Sequence, residues 1–324
     1  VSKPGFDTNL FVNGISSADY SALRDSLDVP LFNRAIQGQY PPGSTIKPFM
    51  SMAGLGSCLV TPQSTVADPG WYSLPGDSRK YRDWILRIRG TGHAPRVDMK
   101  MAIAESCDVY FYHFAQRIGM DPIALMARRC GMGQEFPLPV ISQFYGTVPD
   151  PAWKMKKWGR EWQTFDTVNA TIGQGYMLSN PLQLAVMASR LATGRHVMPR
   201  LNLDTAPKGF DNIDFPSEQV EYVRKAMSDV VNGHGTAGRA RLPIDGTLMA
   251  GKTGTAQVVS LSISNGKSGP WKYRDHGLFI FFAPYDNPRY AGAVVIEHGG
   301  GSGAAYPIAR DVMTFLFDPA KGMD

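Results

Sequence analysis

Apolar residues recur along this chain with two different periods, and the change of period divides it. In "STIKPFMSMAGLGSC" they fall at Ile46, Phe49, Met50 and Met52, the spacing of one helical face. Pro41, Pro42 and Gly43 just upstream fit poorly in a helix interior, so a helix is predicted to open at Ser44. "RVDMKMAIAESCDVYFYHFAQRIG" predicts a second helix, or two in succession. "NPLQLAVMASRLATG" predicts a third, with Asn180 as cap, Pro181 at its first position and Gly194 as stop. The last third of the chain changes character. "GTLMAGKTGTAQVV", "HGLFIFFAPY" and "RYAGAVVIEH" are short runs rich in β-branched and aromatic residues and bounded by Gly, Pro, Asp and Asn, which predicts consecutive antiparallel strands. "AAYPIARDVMTFLF" then closes the chain as a helix with an apolar face at Ile308, Val312, Phe315 and Leu316. With a short strand around 6–13, the pattern predicts an α+β fold: one antiparallel sheet flanked by helices, with a mostly helical lobe.

Composition narrows this only a little. The 324 residues are 43% hydrophobic, enough to bury a large core in one domain or two closely packed lobes. The net charge of +5 suits an anionic partner, but 33 basic residues are offset by 28 acidic ones along the chain, so charge alone names no ligand. No stretch approaches the roughly 18 apolar residues of a membrane span. The chain opens without Met and without the layout of a signal peptide, and reads as a domain of a longer precursor. Three cysteines, Cys58, Cys107 and Cys130, are too few for a disulfide framework and leave the compartment open. The fifteen methionines read as core filling.

Candidate chemistry begins with Ser44 and Lys47 in "PPGSTIKP". Ser-x-x-Lys alone is a weak signal, and Ser264 to Lys267 repeats it in a Gly/Ser-rich stretch. The first copy differs in its setting: one turn at a helix N-terminus puts both side chains on one face. A hydroxyl becomes a nucleophile only when something takes its proton. Only about one lysine in two thousand is neutral at pH 7, and lowering its pKa to about 7 costs roughly 4–5 kcal/mol. Burial and a second cation would do it. "AGKTGTAQVV" offers that cation, Lys252, followed by Thr253, Gly254 and Thr255 on a predicted strand edge. There hydroxyls and ammonium can hold a carboxylate, and Gly254 lets a ligand backbone lie close. A solvated edge strand guarded by a lysine fits that segment equally well. "ESCDVYF" adds Ser106, Cys107 and Asp108. Ser-x-Asp also occurs at Ser17 and Ser26, and Ser106 read alone is a helix cap.

Together, "STIK", "SCD" and "KTGT" in that order form the motif triplet of β-lactamases and penicillin-binding proteins. Beyond it, "VSKPGFDTNLFVNGIS", "PLFNRAIQGQYPPGSTIKP", "AIAESCDVYFY", "IGQGYMLSNPLQLA", "GTAGRAR" and "HGLFIFFAPYDNPRYAGAVVIEHGG" resemble, over nearly the whole chain, the transpeptidase domain of the elongation-specific class B penicillin-binding proteins, the penicillin-binding protein 2 family. Asp108 stands where many members of the wider superfamily have Asn. The resemblance implies a β-lactamase/transpeptidase-like fold across residues 1–324, with a membrane anchor and pedestal domain preceding it. It implies that Ser44 attacks the penultimate D-alanine of a stem pentapeptide while Lys47 takes its proton. Ser106 relays protons, Asp108 positions substrate amide and lysine, and Lys252, Thr253 and Thr255 bind the terminal carboxylate. The N–H groups of Ser44 and Thr255 form an oxyanion hole. An amine of a second stem resolves the acyl-enzyme, and β-lactams acylate the same serine. Implied partners are lipid-linked precursors, an elongation-complex glycosyltransferase and scaffold proteins, at the periplasmic face of the inner membrane, with no nucleic acid. A serine β-lactamase or D,D-carboxypeptidase on the same fold, or a β-lactam sensor domain, is the alternative. Glu161 is the one mid-chain carboxylate to weigh as a deacylating base, and its context "REWQTF" does not match.

Catalysis of this kind requires no cofactor. Asp68, Asp83, His93 and Cys107, however, form an acceptable tetrahedral zinc set, although their spacing fits no standard finger. Read alone they are a buried cysteine and a satisfied loop histidine; the resemblance adds a structural zinc as an equal alternative. "DPAWKMKKWGREWQTF" interleaves Trp153, Trp158 and Trp162 with Lys154, Lys156, Lys157 and Arg160. It reads first as a packed loop, then as contact with a glycan strand or partner. "HGGGSGAAYP" lacks the Lys-Ser/Thr ending of a phosphate loop and predicts a tight strand-to-helix turn near the active site.

Overall fold

The computed structural model describes residues 1–140, 142–202, 209–259 and 269–322; the second Ser-x-x-Lys copy, Ser264 to Lys267, lies outside them. The strand expected around 6–13 is a 3-10 turn, Thr8–Phe11, opened by Asp7, whose carboxylate accepts from Asn9 N–H. That local bond competes with extension and wins. Helix α1 (Ser17–Arg24), capped by Ser16, and the single turn α2 (Arg34–Gln37) follow. The helix expected to open at Ser44 is preceded by a 3-10 turn, Gly43–Ile46, and α3 (Lys47–Gly56) begins at Lys47 with Pro48 in its first turn.

A two-stranded ribbon, β1 (Trp71–Tyr72) with β2 (Tyr81–Arg82), and the turn α4 (Leu86–Arg89) lead to the second predicted helix. That helix is indeed two pieces, α5 (Met99–Ala104) and α6 (Asp108–Ile118). The break holds Ser106 at φ +61°, a left-handed conformation that costs a non-glycine residue on the order of 1–3 kcal/mol. Helices α7 (Met120–Arg129), α8 (Pro151–Trp158) and α9 (Thr164–Ala170) complete the helical lobe. Helix α10 (Pro181–Thr193) has the predicted Asn180 cap, extended to a capping box by Gln183, and the predicted Gly194 stop at φ +65°.

After α11 (Ser217–Asn232), the three expected strands form one antiparallel sheet in the order β3 (Ala250–Ala256), β4 (His276–Ala283), β5 (Tyr290–Ile296). Register pairs Lys252 with Ile280, Thr255 with Gly277 and Phe279 with Val294. Helix α11 packs on β3, α10 on β4 and β5, and α12 (Tyr306–Phe317) on β4 and β5, so the middle strand is buried along nearly its whole length. Strand β3 is one edge of this sheet and β5 the other.

The outer helix corrects the sequence reading. Ile308, Val312, Phe315 and Leu316, expected to face the core, are 41–47% exposed, while Ala309, Met313 and Thr314 are buried. Periodicity identifies the apolar side of a helix, not the side that is covered. Here the small Ala309 allows close approach to the sheet, and the larger side chains face outward beside β5, which is half-buried along its length. Among the described residues no helix is long and apolar enough to cross a membrane.

Candidate active site

Ser44 sits in the 3-10 turn against the edge of β3. Gly43 N–H donates to Gly173 O at 2.9 Å and the buried Thr45 hydroxyl to Pro42 O at 2.7 Å, which fixes the turn from both sides. One turn later Lys47 is wholly buried. Its three ammonium protons meet three acceptors: Asp108 Oδ1 at 2.6 Å, Ser106 O at 2.7 Å and Ser106 Oγ at 3.2 Å.

Ser106 stands between the two lysines, since Lys252 Nζ donates to the same hydroxyl at 2.9 Å and to Thr253 O at 3.1 Å. Lys252 is also completely buried. Burial first, and then the charge of Lys47, push its pKa well below the usual lysine range against the pull of Asp108. The sequence reading kept the ammonium on Lys252 to hold Lys47 neutral. In the structure the Asp108 carboxylate lies against Lys47, while burial and the neighbouring Lys47 disfavour an ammonium on Lys252. Nor does Lys252 have surface with which to meet a carboxylate, as the motif suggested.

Strand β3 brings its motif to the turn in a way the sequence misjudged at Gly254. A Cβ there would lie 2.6 Å from Thr45 Cγ2 and 3.0 Å from Pro42 O. The glycine therefore admits the turn that holds Ser44, a close approach of this chain's own backbone where the sequence reading looked to a ligand's. Gly43, at φ +55°, is its counterpart, with Thr255 N and O at 3.0 and 2.4 Å from the position of a Cβ. The Thr255 peptide groups thus point off the sheet edge toward the turn, where an oxyanion hole shared with Ser44 N–H requires them. Gln174 Nε2 donates to Thr255 O at 3.0 Å. Thr255 is exposed, whereas Thr253 is buried with its hydroxyl 2.6 Å from that of Thr236. Of the four motif residues, Thr255 alone presents exposed side-chain surface to a ligand. The glycine turn after β5 reaches the same end of the sheet, for Gly301 O would lie 2.1 Å from a Cβ on Gly277, the partner of Thr255.

Beneath Ser106, Asp68, Asp83, His93 and Cys107 place one ligand atom each within 4.8 Å of one another, all buried. His93 Nδ1 is 2.8 Å from Asp68 Oδ2 and 3.7 Å from Asp83 Oδ2; Cys107 Sγ is 3.5 Å from Asp68 Oδ2. Burial opposes charge on Asp68, yet hydrogen bonds from the His93 ring and backbone and from Gly70 N–H hold its carboxyl at about 2. Burial and the charge of Asp108 push Asp83 up to about 6, and burial pushes the Cys107 thiol well above its usual range. The donor set fits a tetrahedral zinc ion, and His93 Nε2, 3.2 Å from Glu105 O, has the outer partner that orients a ligating imidazole. The same cluster braces the floor beneath Ser106. Asp83 Oδ2 accepts from the N–H groups of Asp108 and Val109 at 2.7 and 3.2 Å, capping α6. Ser106 is therefore not the cap that its position suggested.

Two groups escaped the sequence reading. Trp84 Nε1 donates to Ser106 O at 3.2 Å, sharing that carbonyl with Lys47, and Thr236 anchors Thr253. Trp84 is a lone residue in a loop without period or motif; Thr236 lies in "GTAGRAR", a segment that carried the resemblance but named no partner for Thr253. The predicted site residues otherwise converge: Ser44, Lys47, Ser106, Asp108 and Lys252 to Thr255 come together where the 3-10 turn before α3, the break before α6 and the edge of β3 meet.

Comparison with known proteins agrees with this geometry. Residues 1–314 match the family model described as penicillin binding protein transpeptidase domain. Peptidoglycan D,D-transpeptidase MrdA of Acinetobacter baumannii is 41% identical over 97% of this chain and 48% of its own length. The chain spans about half the length of the curated relatives it matches. The crystal structure of Pseudomonas aeruginosa PBP2 in complex with WCK 5153 is similar with a TM-score of 0.83 at 38% identity, covering 98% of this chain and 69% of that one. PBP2 of Helicobacter pylori, in complex with MreC, gives a TM-score of 0.88 at 31% identity over 98% and 57%.

Proposed function

This chain belongs to the penicillin-binding protein transpeptidase family, and from that premise we propose that it is the catalytic domain of a peptidoglycan D,D-transpeptidase that cross-links stem peptides during cell elongation. The observation that carries the reading is the hydrogen-bonded chain Lys47 Nζ, Ser106 Oγ, Lys252 Nζ at 3.2 and 2.9 Å beside the turn that holds Ser44. A protonated Lys47 has no lone pair for a serine proton. It can pass a proton to Ser106 Oγ while the Ser106 proton moves to Lys252, whose environment favours neither charge nor water. Lys47 then takes the Ser44 proton as Ser44 Oγ bonds to the carbonyl carbon of the penultimate D-alanine. The oxygen that becomes negative lies toward the N–H groups of Ser44 and Thr255. Collapse expels the terminal D-alanine, protonated through Ser106, and leaves the ester. The amine of a second stem attacks that ester, gives up a proton to the same relay, and restores Ser44. The Thr255 hydroxyl receives the terminal carboxylate, and Lys252 acts from beneath, through charge and proton transfer. β-Lactams acylate Ser44 in the same geometry.

A zinc ion held by Asp68, Asp83, His93 and Cys107 would supply structural bracing only, tying the loop that carries Trp84 to the start of α6. The substrates are stem peptides on lipid-linked precursors. This places the domain at the periplasmic face of the inner membrane, joined to an anchor and pedestal, and in company with a glycosyltransferase and a scaffold protein, as the MreC complex of the Helicobacter relative supports. The lactamase, carboxypeptidase and sensor alternatives gain nothing from Glu161, which is exposed in the aromatic and basic segment rather than in the cleft.

Labelled penicillin tests the reading. The wild-type chain is expected to form a covalent adduct that outlasts minutes and to transfer a stem peptide to an acceptor amine; Ser44→Ala is expected to form none. Hydrolysis within seconds would make it a lactamase, and an adduct without peptide transfer to either amine or water would make it a sensor.

A further inference from the structure

The segment 150–165 is a packed element on one side only. Lys154 is buried in an ion pair with Asp166 at 2.6 Å, ringed by Trp162, Phe165 and Tyr176. The other side faces water. Trp158, 45% exposed, ends α8 and packs on Tyr176 and Trp153 with ring centroids 4.5 and 5.4 Å away. Lys157 Nζ lies 5.6 Å from the Trp158 ring, and Lys156, Lys157 and Arg160 are all exposed. Glu161 is the one acid among residues 151–165. A half-exposed indole held by two neighbouring rings and with Lys157 over it offers large contact area at low entropic cost.

Residues 173–176 link this platform to the turn that holds Ser44. Gly173 O accepts from Gly43 N–H beside the nucleophile and Gln174 reaches Thr255 O, while Tyr176, three residues beyond Gly173, is part of the ring cluster. Three residues span at most about 11 Å, and an extended pentapeptide about 17 Å. A stem peptide bound at Ser44 and running toward Gly173 is long enough to bring its saccharide end to Trp158. Sugar rings present C–H faces that pack on an indole, and the carboxylates of stem peptides complement the three cations.

Resting on the transpeptidase reading, we propose that Trp158, Tyr176, Lys156, Lys157 and Arg160 form a docking surface for the glycan strand whose stem peptide occupies the cleft. The surface selects polymeric substrate over free peptide. The probes are short soluble glycan strands bearing stem pentapeptides, the free pentapeptide, and anionic phospholipid vesicles, each measured against wild type, Trp158→Ala and Lys157→Glu. Wild type is expected to bind strands more tightly than free pentapeptide. Either variant is expected to lose that preference, with strand affinity falling about tenfold, while labelling by small penicillins and the melting temperature stay near wild type. Undiminished strand binding by both variants would overturn the proposal, as would equal loss for strand and free peptide. Loss of vesicle binding with strand binding intact would also overturn it and assign the surface to a membrane. A wild type that penicillin does not label would instead sink the underlying activity, so the two failures are distinct.

Discussion

Lys252 brings an amine into the interior, 2.9 Å from Ser106 Oγ and under the charge of Lys47. Its folded pKa lies well below 10.5, the model-compound value that applies in the unfolded chain. Between those two values the unfolded chain binds the extra proton, so stability rises with pH across that window. Lys252→Met removes the titration while keeping most of the volume. We expect it to melt about 2–4 °C above wild type at pH 7, with the difference shrinking toward pH 10 and penicillin labelling lost; a melting difference that does not change with pH would refute the cost assigned to this amine. At this scale the motif residues were legible because three short patterns constrain one another. The contact of Asp108 with Lys47 was not, because α6 sets it. Trp84 was invisible for a related reason: its role is to meet one carbonyl at the break before α6.

The turn that holds Ser44 and β3 meet glycine to backbone, and that contact sets the spacing of the Ser44 and Thr255 N–H groups proposed as an oxyanion hole. Gly254→Ala would drive a methyl into Thr45 Cγ2 at 2.6 Å and Pro42 O at 3.0 Å, displacing Ser44 relative to Thr255 N–H. Misplacement on the order of 1 Å costs about a hundredfold in rate. Acylation by penicillin should therefore fall by roughly that factor, and stopped-flow labelling that matches wild type would mean the turn yields freely. Elements with both ends marked were legible: α10 by Asn180, Pro181 and Gly194, and the three strands by their turns. The segment 6–13 was not, because Asp7 bonds locally. Nor was the covered side of α12, since an apolar stripe does not reveal what stands opposite it.

Across the molecule, the helical lobe and the sheet share one continuous core, and the Ser44 site lies where they meet at the β3 edge. The lobe's side of that site rests on a cluster drawn from residues 68 to 107, and a metal there would stabilise the folded chain by binding it alone. Protein purified without chelator should carry close to one equivalent of zinc. Chelation should lower the melting temperature by roughly 5 °C and slow penicillin labelling, with Cys107→Ser mimicking both. Less than a tenth of an equivalent, with an unaffected Cys107→Ser variant, would remove the metal. The fold class was legible from the succession of periods, and the family from motifs spread along nearly the whole chain. The contacts between lobes were not, because they join residues distant in sequence and carry no local pattern. The burial of the thiols has a practical side: Cys107 and Cys130 are enclosed and Cys58 is exposed. Cys58 sits just past α3 in a left-handed turn, so a maleimide dye applied to the native chain has a single ready attachment point, and a fluorophore can be mounted there without engineering a new one.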